Sequence, residues 1–168
     1  ERSRDENNPY FYFVDSTTVL KCKSMPRMQE LIEEKKLVRK EINLSEAFRG
    51  KGVEHILFVS HRWEEQRKPD PEGKQLEAVQ KYLKKHPAIK WVWYDYWCMP
   101  QKDKDGWRSP DDEAEFNAML KSITDLYLTM RVLIVLDTTV GAPPASQTQR
   151  CDHVRDSLSA VASHMSQY

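Results

Sequence analysis

The sequence predicts an α/β fold: a parallel sheet with flanking helices over residues 54–168, preceded by a strand–helix extension over residues 1–53. Three observations carry this expectation. Apolar runs of strand length occur at His55-Ile56-Leu57-Phe58-Val59-Ser60, Trp91-Val92-Trp93-Tyr94-Asp95-Tyr96 and Val132-Leu133-Ile134-Val135-Leu136. They are nearly continuous rather than alternating, as strands buried on both faces require. Between them lie Leu76, Val79 and Leu83, then Phe116, Met119, Leu120, Ile123, Leu126, Tyr127 and Met130, each set at helical spacing. Strand and helix in alternation imply parallel pairing through right-handed crossovers.

The elements follow in order. Residues 1–9 are polar and charged and are expected to fray. Tyr10-Phe11-Tyr12-Phe13-Val14 reads as an aromatic-rich strand. Ser24 is placed to cap a helix with Pro26 in its first turn, where a missing N–H costs little, and Met28, Leu31 and Ile32 give that helix its apolar stripe. Leu37, Val38, Ile42 and Leu44 follow with weaker periodicity, and Gly50-Lys51-Gly52 punctuates the leader's end. Pro69 and Pro71 mark a loop before the helix expected over residues 75–85. A charged loop spans residues 102–112. Beyond Thr139, Gly141-Ala142-Pro143-Pro144 is loop-like, and Val154, Leu158, Val161 and Met165 suit a last amphipathic helix.

Composition narrows the function classes. Lys plus Arg number 26 and Asp plus Glu number 26, which argues against a nucleic-acid binder that relies on broad positive charge. Five Trp, seven Tyr and five Phe set the chain apart from aromatic-poor disordered sequences. No apolar stretch approaches the roughly 20 residues of a membrane-spanning helix. The chain opens on Glu1 with no signal-peptide pattern, which predicts a processed chain or a fragment. Cys22, Cys98 and Cys151 form no CxxC pair, so a reducing, cytoplasmic compartment is expected. Five glycines and no GxGxxG or P-loop pattern exclude a Gly-rich phosphate cradle, and Cys151-Asp152-His153 lacks a partner at zinc-ligand spacing.

Ligands of open parallel sheets bind outside the carboxyl ends of the strands. The candidate chemistry therefore lies in Ser60-His61-Arg62-Trp63-Glu64-Glu65, in Asp95-Tyr96-Trp97-Cys98 and in Asp137-Thr138-Thr139. Arg62 beside Trp63 offers a guanidinium for phosphate and an indole for stacking on a base or nicotinamide ring. Asp95 suits a ribose hydroxyl, and Ser60 and Trp97 complete the candidate binding set. Plainer roles exist for all of them: Ser60 and Asp95 are good turn and cap formers, and most of the tryptophans suit a core. Ser60 and His61 do not form a Ser–His pair, because adjacent strand residues point to opposite faces. Cys98 with His61 makes only a weak imitation of a thiol-protease pair.

Two stretches carry a resemblance. The run from His55 to Trp63 resembles the opening strand of Toll/interleukin-receptor (TIR) domains. Trp93, Asp95, Cys98 and Gln101, followed by Met119, Leu126-Tyr127 and the strand at 132–136, resemble the W-x-D-x-x-C-x-x-Q pattern of fungal heterokaryon-incompatibility (HET) domains, distant relatives of the TIR fold. The resemblance spans about residues 54–137. It implies a flavodoxin-like sheet and a role in defence, cell-death or stress signalling through self-association or protein partners, with no required cofactor. It also implies NAD as a candidate substrate, since some members cleave it with a Glu on the helix after the third strand. This chain has no Glu in residues 137–168, and the nearest counterpart is Asp156, one methylene shorter. A misplacement of about 1 Å costs on the order of a hundredfold in rate. The expectation is therefore a signalling or assembly module with a vestigial nucleotide pocket. The alternatives are an NAD nucleosidase whose carboxylate is Glu64, Glu65 or Asp156, and a structural subunit of a larger assembly. The sheet expected from three strands is short, so it is either partial, irregular beyond Thr139, or completed by the leader strand.

Overall fold

The computed structural model describes residues 8–61 and 68–135. Five strands, β1 (Tyr10–Asp15), β2 (Leu37–Glu41), β3 (Ile56–His61), β4 (Trp91–Trp93) and β5 (Arg131–Val135), form one mixed sheet in the order β2-β1-β4-β3-β5. The helices are α1 (Ser16–Lys21), α2 (Met28–Glu33), α3 (Leu44–Ala47), α4 (Lys74–Lys85), α5 (Asp95–Cys98) and α6 (Pro110–Thr129). The three strands of the alternating pattern are parallel as expected, with β4 and β5 on either side of β3. The sheet as a whole is not parallel. β1 runs antiparallel to both β2 and β4, so the leader strand belongs to the same sheet as the α/β pattern.

Local chemistry explains where the elements begin. The helix expected from a Ser24 cap starts at Met28 instead, with Arg27 as its N-cap and the Glu30 carboxylate accepting from Arg27 N at 3.2 Å. Pro26 disfavours helical φ/ψ at Met25, which postpones the first turn. Leu37, Val38 and the residues after them, whose periodicity is weak, form a strand paired along β1 from Tyr10↔Glu41 to Val14↔Leu37. The expected strand over residues 91–96 stops at Trp93. Trp97 N and Cys98 N donate to Tyr94 O at 3.0 and 2.9 Å, turning Asp95–Cys98 into a single helical turn. Aromatic residues favour strands intrinsically, but here a buried turn wins. α6 begins inside the charged loop because Ser109 caps it, accepting from Asp112 N at 3.1 Å, with Pro110 and three acids in the first turn.

The two faces of the sheet are read from β3. Phe58 stacks on Trp93 and meets Tyr127 of α6 edge-on. On the opposite face, His61 stacks on Tyr94, whose hydroxyl donates to Gln75 of α4 at 2.9 Å. α4 and α6 thus cover opposite faces. β1 contributes Phe11 and Phe13, both fully buried, and is tied to α6 by the Tyr12 hydroxyl donating to Glu115 at 2.9 Å. Among the described residues no helix is long and apolar enough to cross a membrane.

Candidate functional site

The carboxyl ends of β3 and β4 meet at a part-buried hydrogen bond. His61 is the last residue of β3, and Asp95 follows β4 by two residues. His61 Nε2 lies 2.7 Å from Asp95 Oδ1, with the imidazole 2% and the carboxylate 22% exposed. A carboxylate only accepts, so Nε2 carries the proton in this contact. The same Asp95 oxygen accepts from Tyr96 N at 2.5 Å, which aims the carboxylate across the sheet at His61.

The turn that holds Asp95 is built by the rest of its motif. Gln101 Nε2 donates to Asp95 O at 3.1 Å and to Met99 O at 2.8 Å, closing the segment after α5. Cys98 is fully buried with its sulfur 3.8 Å from Val92 O, and burial pushes the thiol far above its ordinary range. Burial of this kind opposes the thiolate form that a nucleophile needs. Trp93 fills the core against Phe58. Trp93, Asp95, Cys98 and Gln101 therefore act together as a structural turn whose polar product is one oriented carboxylate.

The flanking groups form two layers. On the α4 side, His61, Tyr94 and Trp97 stack in succession, with ring centroids 4.0 and 4.8 Å apart. Asp70, itself buried, accepts from Gln75 N at 3.1 Å and Leu76 N at 2.8 Å, so the start of α4 positions Gln75 against Tyr94. On the α6 side, Ser60 stands beside the Tyr127 hydroxyl. Burial pushes that hydroxyl up to about 12, the neighbouring Ser60 side chain works against the rise, and the charge of Asp95 adds to it.

Of the residues singled out in the sequence, Ser60, Asp95 and Trp97 come together around this joint. Ser60 stands beside Tyr127, and Asp95 is engaged with His61. Trp97 is 1% exposed, with one ring face against Tyr94 and an indole N–H that has no hydrogen-bond partner among the described residues. Arg62, Trp63, Glu64, Glu65 and Asp156 lie outside the described residues. His61 is the residue that sequence reasoning missed as a partner for Asp95. The signal was present, since both stand at the carboxyl ends of strands that a crossover places side by side. Among the described residues no three His, Cys, Asp or Glu side chains gather as a metal site requires. No family model, curated protein or solved structure matches the chain.

Proposed function

We propose that the chain is a TIR/HET-like signalling or assembly module that acts through protein–protein contact and carries a vestigial nucleotide pocket. The observation that carries this reading is the His61–Asp95 joint. It brings the TIR-like and HET-like stretches together on neighbouring strands, at 2.7 Å. The spatial order of the three parallel strands, second-first-third, supports it further. The flavodoxin-like order 2-1-3-4-5 begins the same way and places its ligand crevice at the first and third strands. At this end the Asp95 carboxylate turns to His61, which spends it on the fold rather than on a ligand.

The reading is tested by incubating NAD with the concentrated protein and separating the products by chromatography, alongside sedimentation of the protein over a concentration series. Self-association without nicotinamide release is the expected result. Nicotinamide release that falls in Glu65→Ala or Asp156→Ala would replace the module with a nucleosidase and identify its carboxylate.

A further inference from the structure

The segment 99–102, which follows α5, belongs to no helix or strand, so its carbonyls have no ladder from which to accept. Side chains supply the donors instead, one for each of three consecutive carbonyls. Arg108 Nε donates to Pro100 O at 3.0 Å, Gln29 Nε2 to Gln101 O at 2.9 Å, and the Arg27 guanidinium to Lys102 O. The two ends of this strap are held differently. Arg108 is a fixed anchor: its side chain is 2% exposed, lies over the Phe116 ring at 3.7 Å and donates to Glu113 at 3.1 Å. The other two donors come from the leader, from Gln29 on α2 and from Arg27 at its N-cap.

α2 is intrinsically weak. Its six residues fall well short of the roughly 12–15 that an isolated helix needs. It stays seated through Met28 and Leu31, each 1% exposed, while Ile32 on the same short helix is 52% exposed. Segments with so few buried apolar contacts open at a lower free energy than the whole fold. Gln29 also carries a cost: its Oε1 is buried with no hydrogen-bond partner among the described residues. A methionine would fill a similar volume without that orphaned acceptor. A group that breaks a local rule at a cost points to a role beyond stability.

The strap leads directly to the His61–Asp95 joint. Gln29 holds the carbonyl of Gln101, and the side chain of that same Gln101 donates to Asp95 O and Met99 O. Asp95 in turn meets His61 Nε2 at 2.7 Å. We propose that α2 is a latch on this strap, with Gln29 a positioning residue for the Asp95 carboxylate. Seated, α2 keeps Gln101 closed on the α5 turn and the carboxylate against His61. Undocked, it frees residues 101 and 102 while Arg108 keeps Pro100 in place. The strap then hinges at Pro100, and the α5 turn loosens its hold on the carboxylate. The leader thus governs the joint as well as completing the sheet, and the coupling runs equally in both directions. The inference rests on this geometry alone and is independent of the assembly reading.

Hydrogen exchange in the full chain tests it, read by NMR at the His61 Nε2 proton and assigned by its loss in His61→Gln. In Gln29→Met that proton is expected to exchange about threefold to tenfold faster than in the wild type, the range of one lost hydrogen bond. Gln80→Met is the control. Gln80 Nε2 donates to Val19 O at 3.0 Å and Cys22 O at 2.8 Å, gripping the leader at carbonyls outside the strap. Its loss should leave the His61 proton at the wild-type rate. In the reverse direction, Asp95→Ala should speed exchange of the Leu31 and Glu34 amides, which donate to Arg27 O and Glu30 O, by a similar factor. A His61 rate unchanged by Gln29→Met overturns the latch. Equal acceleration by Gln80→Met overturns it too, because the leader would then act only through stability. So do Leu31 and Glu34 amides that Asp95→Ala leaves at the wild-type rate.

Discussion

Tyr127 shows how much of the candidate site is held by burial rather than by designed chemistry. Its hydroxyl is pushed from 10.0 up to about 12, first by desolvation and then by the charge of Asp95, against the opposing effect of the neighbouring Ser60. A tyrosine whose folded value lies above its unfolded value contributes stability that is complete below pH 10 and is lost as pH rises towards 12. Urea unfolding at pH 9 and pH 11 should therefore show a decline, of which about 1 kcal/mol disappears in Tyr127→Phe. An equal decline in both proteins would show that Tyr127 titrates normally. The residue types of this cluster were readable in the sequence, and so was their position near strand ends. Their pairings were not. Ser60 and His61 are neighbours in the chain, yet strand alternation sends one to Tyr127 on α6 and the other to Tyr94 and Asp95.

At the scale of elements, the start of α4 links the α4 face to the site. Asp70 satisfies two of its orphan amides, and Gln75 passes that rigidity to Tyr94 and so to the His61 ring. Asp70→Ala is expected to destabilise the fold by about 1–2 kcal/mol, the usual cost of a lost helix cap. Asp70→Asn should recover part of that, because an amide oxygen still accepts. Denaturant midpoints decide it, and a cost below a few tenths of a kcal/mol in Asp70→Ala would mean that water caps α4 equally well. Helices with long apolar stripes, α4 and α6, were legible from spacing alone. The one-turn α5 was not. Trp91 through Tyr96 reads as one aromatic strand, and the helical turn exists because Gln101 closes it from further along the chain and Cys98 at its end is buried with its sulfur near Val92 O.

At the scale of the whole molecule, the leader is structural. β1 shields the edge of a three-residue β4 and adds Phe11, Phe13 and Val14 to the core. A fragment starting at residue 54 exposes that edge and those apolar contacts, so it is expected to lose its cooperative thermal transition and to aggregate. Circular dichroism and size-exclusion chromatography test this, and a cooperatively melting fragment would show that the leader is dispensable. By itself the sequence determined the α/β class, the three parallel strands and the two long helices, although among the described residues β5 is part-exposed rather than buried on both faces. Those features follow from periodicity and burial, which are local properties of the chain. Tertiary structure alone decided that the sheet is mixed, that the leader completes it, and that Asp95 faces His61 rather than solvent. Such features depend on contacts between residues tens of positions apart, and local propensity carries no information about which distant partner will close them.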